Sequence, residues 1–223
     1  MSEKFSIPHA IAAIAPDGNL TPSQFRRALI EMTRRRIRPG TGSALEFLQR
    51  RTALNEWPDL RPILIGLQWV VVGGVATRAY MPERTTKDLD ILVRREEGEQ
   101  VIERLQRAGY QTISKLAMPG YVTQSSDGVE VDVIFGDYPW LIEALQHPAR
   151  DPAGFPVLDL PYLVLMKLAS SRAQDVGDLS RMLGVATEDT LVEVRKVVAQ
   201  YAPADSADIE SLIYLGRFEN RKP

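Results

Sequence analysis

Asp88-Leu89-Asp90 is the first pair of side chains in this 223-residue chain whose type and spacing point to chemistry. In a β-strand side chains alternate between faces, so the two carboxylates share one face and Leu89 and Ile91 take the other. Two adjacent anions repel and call for a compensating positive charge. Mg²⁺ suits that role, because it takes hard oxygen ligands and keeps waters that a phosphate can displace. Glu130-Val131-Asp132 repeats the pattern, with both carboxylates opposite an apolar face. If the two strands pair, Asp88, Asp90 and Asp132 converge, as two-metal phosphoryl or nucleotidyl transfer requires. A solvated Asp-x-Asp at a strand edge is the competing reading of either pair alone.

Gly73-Gly74 follows the wholly apolar run Trp69 to Val72. A strand, a diglycine turn and a helix start present backbone N–H groups to an anion and let a phosphate approach closely. A plain tight turn is the alternative. Downstream, Leu160 to Ala169 is apolar almost all round, so a helix there is buried and Lys167 in its middle needs a partner. Snorkelling to the surface and pairing with a triphosphate both supply one. Arg172, Asp175 and Asp178 fit a nucleotide site and an ion pair between helices equally well. Arg78 and Arg84 flank the proposed pocket, as phosphate ligands or as surface arginines. Arg26, Arg27, Arg34, Arg35, Arg36 and Arg38 face only Glu31 as an opposing charge, which fits a solvated helix face better than a polyanion site.

The elements that must position these residues can be read from capping and periodicity. Thr21-Pro22-Ser23-Gln24 is a capping box with proline at the first helical position, and Phe25, Ala28, Leu29 and Met32 form an apolar stripe ending near Arg38-Pro39-Gly40. Further helices are predicted over Ser43–Ala53 and from Pro58 towards Gly66. Strands are predicted at Trp69–Val72 and Asp88–Val93, with a helix over Val75–Met81 between them. An amphipathic helix follows over Glu96–Ala108. Tyr121–Gln124 and Val129–Phe135 flank Ser125-Ser126-Asp127-Gly128, a hairpin loop. After Pro139 the chain reads as almost entirely helical, with a proline-rich connection from Pro148 to Pro156. Asp159-Leu160-Pro161, Thr187 and Ser206 mark three helix starts. The fold expected is α/β (α+β): a small mixed sheet flanked by helices, with helical N-terminal and C-terminal parts. The boundaries expected are 1–64 for the N-terminal extension, 65–150 for the core and 151–223 for the helical region completing the site.

Composition narrows the chemistry. A net charge of −2 argues against bulk electrostatic coating of nucleic acid. The absence of cysteine excludes disulfides, thiolate metal sites and a cysteine nucleophile. Two histidines are too few for a zinc hydrolase or a histidine-rich iron site. No apolar run approaches the roughly 18–20 residues that span a bilayer, and the N-terminus lacks a basic-then-apolar leader, so a cytoplasmic protein is expected.

Gly73-Gly74-Val75-Ala76 followed by Arg84-Thr85-Thr86-Lys87-Asp88-Leu89-Asp90-Ile91 resembles the minimal nucleotidyltransferase signature of the DNA polymerase β-like superfamily. Thirteen residues separate Gly74 from Asp88, and Asp132 matches the third carboxylate of the family. Ala76 departs from a serine found in many members. The arginine-threonine stretch, with Lys167, Arg172, Asp175 and Asp178 downstream, is similar to the AbiEii-type toxin nucleotidyltransferases, over roughly residues 66–183. The resemblance implies transfer of an NMP from an NTP to an acceptor hydroxyl on tRNA, protein or a small molecule, with a cognate antitoxin as a further partner. It implies Asp88, Asp90 and Asp132 as ligands of two Mg²⁺ ions (or Mn²⁺), with Asp132 also helping to deprotonate the acceptor. Gly73 and Gly74 would hold the β- and γ-phosphates and Lys167 would neutralise the triphosphate. Arg78, Arg84, Arg172 and Asp175 would complete the nucleotide site. A catalytically inactive nucleotide- or partner-binding protein of the same fold is the alternative, which the intact set of carboxylates counts against. A haloacid dehalogenase-type nucleophile at Asp88 ranks last: Leu92 stands where that motif wants Thr or Val, and Gly73-Gly74 goes unexplained.

Overall fold

The structure is a computed structural model that describes residues 15, 19–39, 57–82 and 86–221. Among these residues it holds eight α-helices and one seven-stranded mixed sheet, ordered from one edge as Gln111–Lys115, Gly120–Gln124, Glu130–Gly136, Asp88–Arg94, Trp69–Val71, Pro156–Val157 and Ala149–Arg150. The helix expected over Ser43–Ala53 lies outside the described residues, and so does Arg84.

The centre of the sheet carries the chemistry. Strand β1 (Trp69–Val71) is buried throughout, as its apolar run requires. It runs antiparallel to β2 (Asp88–Arg94), which lies parallel and in register with β5 (Glu130–Gly136). Parallel registry pairs Asp90 with Asp132 and Asp88 with Glu130, so the polar positions of both strands share a face. Strand β4 (Gly120–Gln124) returns antiparallel to β5 through the expected Ser125–Gly128 loop.

Between β1 and β2 the helix expected over Val75–Met81 is shorter. One α-helical turn, α2 (Gly73–Ala76), continues as a 3-10 turn at Thr77–Ala79 before Pro82. The Thr77 hydroxyl donates to the Gly74 carbonyl at 2.8 Å, a side-chain bond that closes this turn. Amphipathic α3 (Gly98–Arg107) lies where expected and buries Val101, Ile102 and Leu105. Pro58 to Gly66 forms irregular turns rather than a helix: Leu60 accepts from Ile63 and Leu64, and Pro62 has no N–H to extend the pattern.

Two further strand regions were illegible in the sequence. Edge strand β3 (Gln111–Lys115) is exposed at every residue and shows no apolar alternation. The proline-rich connection hides a two-residue hairpin, β6 (Ala149–Arg150) with β7 (Pro156–Val157), and β7 extends the sheet beside β1. The stretch after Pro139 is otherwise helical: α4 (Leu141–Gln146), α5 (Leu160–Ser170), α6 (Ala173–Val185), α7 (Glu188–Tyr201) and α8 (Ser206–Glu219). Asp159 and Thr187 cap α5 and α7 with their side chains. Ser206 is the first helical residue of α8 rather than its cap. Helices α6 and α8 cross in near backbone contact, where a Cβ on Gly216 would lie 1.9 Å from the Ser180 carbonyl oxygen.

Helix α1 (Pro22–Arg36) begins at the expected capping box: Thr21 Oγ1 accepts from the Gln24 N–H and Gln24 Oε1 from the Thr21 N–H. Only part of the apolar stripe is turned inward: Leu29 packs against the core and Ala28 is half-buried. Phe25 and Met32 are exposed, whereas Arg26 and Ile30 are buried. Helix α1 packs against α5, α6 and α8, and Arg26 faces two aspartates there. Ion pairing by Arg26 and the apolar contacts of Leu29 and Ile30 together dock α1.

Candidate active site

Asp88, Asp90 and Asp132 converge as the shared parity predicts. Each offers a carboxylate oxygen within 4.8 Å of the other two, and all three are partly buried. Asp90 is the most constrained of them. Its carboxylate accepts a hydrogen bond from the Gly74 N–H. Its main-chain carbonyl accepts from the Val72 N–H at 2.9 Å. Thr86 donates its hydroxyl to Asp88 at 2.8 Å.

The crowding shows in the acidities. Burial, then the charges of Asp88 and Asp132, push Asp90 up to about 7, while Arg172 and the Gly74 N–H pull the other way. Burial, then Asp88 and Glu130, also hold Asp132 above the usual carboxylate range. Three carboxylates crowded within 4.8 Å form an oxygen-only donor set suited to a hard divalent cation.

Gly73 sits against this cluster with φ +65°, and a Cβ there would lie 1.9 Å from Asp90 Oδ2. A side chain is excluded both by the backbone conformation and by the carboxylate itself. Gly73→Ala should therefore displace Asp90, abolish activity and lower the unfolding midpoint by several degrees. A thermal melt of the variant, together with an activity assay, checks this; wild-type activity would show that the turn can move away from Asp90.

A cavity of about 710 Å³ opens over the cluster. Its lining includes Gly73, Asp90 and Asp132, the charged residues Lys167, Arg172 and Asp175, and the larger side chains of Met118, Tyr138 and Trp140. Tyr138 and Trp140 stack with centroids 4.7 Å apart.

Lys167 is buried, but it has partners without a nucleotide. Its Nζ donates to Asp178 Oδ2 at 2.8 Å and to Asp175 Oδ1 at 3.0 Å. The protein itself thus balances this ammonium, through the ion pair between helices rather than by snorkelling to the surface. The next helix turns back at Ser171 and brings two carboxylates onto the lysine. Asp175 also accepts from Arg172 Nε at 2.9 Å and from Ser170 Oγ at 2.7 Å. Burial pushes its pKa up, but the Arg172 hydrogen bond and the Lys167 charge more than offset it, leaving the pKa lowered. Arg172 is the exposed member of this network, raised first by its bond to Asp175 and further by the charges of Asp90 and Asp88.

Arg78 does not join the site. Its guanidinium pairs with the buried Asp151 carboxylate and lies 5.3 Å from the centre of the Phe155 ring, so it is not among the residues lining the cavity. A buried carboxylate in the β6–β7 hairpin claims the charge that a phosphate was expected to take. Asp205, which also lines the cavity, carried no signal in the sequence.

Residues 64–139 match the model of the aminoglycoside-2''-adenylyltransferase family. The matched stretch contains Gly73, Gly74, Asp88, Asp90 and Asp132, about a third of the chain; Lys167 and Arg172 lie beyond it. The match supports a nucleotidyltransferase enzyme. No curated protein matches the chain. Among solved structures, the antibiotic-resistance factor ANT(2'')-Ia is similar at 14% identity and a TM-score of 0.38, over 78% of this chain and 89% of that one. The Cid1 poly(U) polymerase gives 16% identity and a TM-score of 0.29, over 74% of this chain and 46% of that one. Terminal uridylyl transferase 4 from Trypanosoma brucei, with bound GTP, gives 10% and 0.25, over 81% and 58%. The carboxylate geometry, rather than these distant likenesses, carries the functional reading.

Proposed function

We propose that this nucleotidyltransferase is Mg²⁺-dependent and moves an NMP from an NTP to an acceptor hydroxyl, with release of pyrophosphate. The observation that carries the proposal is the convergence of Asp88, Asp90 and Asp132 within 4.8 Å, against a glycine turn that leaves no room for a side chain. Asp88, Asp90 and Asp132 would hold two Mg²⁺ ions, with Mn²⁺ as a substitute. Bound there, the metal would supply charge neutralisation for the phosphates and lower the pKa of an oxygen nucleophile.

The remaining work falls to the chain. Gly73 and Gly74 let the β- and γ-phosphates approach the backbone. Arg172, exposed at the cavity wall, offers a guanidinium to the triphosphate, and Asp175 holds that guanidinium in place. Asp132, with its pKa raised, accepts the acceptor's proton as the oxygen attacks the α-phosphorus in line. Lys167 sets the charge of Asp175 and Asp178, and reaches the nucleotide through them and Arg172. Alignment and charge stabilisation supply most of the acceleration.

The acceptor is read as tRNA, a protein or a small molecule. The AbiEii-type resemblance supports a toxin with a cognate antitoxin, whereas the matched family model names an aminoglycoside-modifying activity of that family. Incubation with each α-³²P-labelled NTP and Mg²⁺, with total RNA, lysate protein or aminoglycosides in separate reactions, tests the proposal. Label should pass to one acceptor class with one or two NTPs and should stop with EDTA. Transfer that persists in EDTA would overturn the metal assignment, and nucleotide binding without transfer to any acceptor would favour the inactive binding protein.

A further inference from the structure

We propose that Arg26, on the N-terminal helix α1, is a positioning residue for the nucleotide site: it fixes the corner between α5 and α6 from which Arg172 and Asp175 face the carboxylate cluster. The inference rests on the nucleotidyltransferase reading above and extends it to a part of the chain outside the matched segment.

The Arg26 guanidinium is fully withdrawn from solvent. Its Nε donates to Asp208 Oδ2 at 2.9 Å and its Nη2 to Asp205 Oδ1 at 2.5 Å. Its Nη1 donates to the Leu168 carbonyl and to Ser171 Oγ, each at 2.5 Å. Leu168 lies in the last turn of α5, where carbonyls lack helical partners and a cation is favoured. Arg26 thus caps α5 from another helix.

Ser171 is the residue that turns the chain. It has φ +50°, the only described residue other than glycine with a positive φ. That conformation is unfavourable for an L-residue and needs support. The support comes from the Ser171 hydroxyl, which bonds the Leu168 carbonyl, and from Arg26, which bonds both. The next residue is Arg172, the N-cap of α6, whose Nε holds Asp175. Only Ser171 and Arg172 separate the two helices, so the Ser171 conformation sets the direction in which the Arg172 side chain leaves the backbone. The same arginine neutralises Asp205, which lines the cavity. A lysine cannot reproduce the planar fork that reaches two carboxylates, a carbonyl and a hydroxyl together.

A merely structural Arg26 would tie α1 down without affecting nucleotide affinity. The test is a double-mutant cycle with Arg172→Ala. The probe is whichever of the four α,β-methylene nucleoside triphosphates the wild type binds most tightly, with Mg²⁺, titrated calorimetrically at a temperature where every variant is folded. Arg26→Lys should weaken binding about tenfold or more, and the double variant should bind no more than about twofold worse than the weaker single one. Ser171→Ala, which leaves the Asp205 and Asp208 pairs intact, should weaken binding about threefold, and it decides the matter if Arg26→Lys fails to fold. Unchanged affinity in the folded Arg26 and Ser171 variants, or effects that simply multiply with Arg172→Ala, would overturn the inference. If Arg172→Ala alone weakens binding, the nucleotide-site reading survives that outcome. A wild type that binds none of the four probes overturns both.

Discussion

Asp90→Asn should abolish nucleotidyl transfer and at the same time raise the stability of the metal-free protein at pH 8. Asp90 is held up at about 7 by burial and by its neighbours Asp88 and Asp132. In the unfolded chain an aspartate ionises near 3.9. A carboxyl with a raised folded pKa contributes stability that is fully present below the unfolded value and is lost as pH rises through the folded one. The metal-free wild type should therefore lose stability between about pH 4 and pH 7. Three units correspond to about 4 kcal/mol as an upper bound, since solvent in the open cavity screens the repulsion. Asparagine keeps an oxygen to accept the Gly74 N–H and removes the charge, so its melting temperature at pH 8 should exceed the wild type's by about 5 °C. Mg²⁺ should narrow the gap by stabilising the wild type and leaving the variant nearly unchanged. Thermal melts at pH 5 and pH 8, with and without Mg²⁺, check each part. Equal melting temperatures at pH 8 without metal would remove the crowding argument, and retained transfer would remove the metal role of Asp90.

Lys167→Ala should cost the fold far more than a surface lysine would. The ammonium compensates Asp175 and Asp178, each about 1% exposed. Its removal leaves Asp178 without the lysine bond and Asp175 with Arg172 and Ser170. Breaking a buried pair from one side costs about 3–5 kcal/mol, because the remaining charge stays desolvated. The sign with pH follows. Without Lys167 the buried Asp175 loses a charge that favours its ionised form, so the loss should be largest above pH 7 and partly relieved towards pH 5, where protonation neutralises it. Urea unfolding at the two pH values measures it. A loss under 1 kcal/mol, combined with a tenfold fall in NTP affinity, would restore the lysine to a direct and exclusive role on the triphosphate.

The reactive centre was legible because it depends on local rules. Side-chain alternation places Asp88 and Asp90 on one face and Asp132 on the matching face of the next core strand. A DG hairpin loop fixes β4 beside β5, and a wholly apolar run ending in Gly73-Gly74 marks a buried strand entering a tight turn. Each of these follows from backbone geometry within a few residues. The sequence could not give the β2–β5 registry, which arises between strands some forty residues apart, although it supplied the parity that made the registry productive.

The partners of the charges were decided only by the tertiary structure. Arg26 sits on a helix whose apparent apolar stripe is half exposed, at Phe25 and Met32, and its partners are Asp205 and Asp208, about 180 residues away. Arg78 looked free for a phosphate until the β6–β7 hairpin placed Asp151 beneath it. Lys167 was legible as a buried cation, yet whether a ligand or the protein would balance it depended on how sharply α6 turns back at Ser171. A strand's periodicity determines which way its own side chains face. An ion pair forms wherever two opposite charges are brought within about 4 Å, and no local pattern records which distant segment will supply the second one.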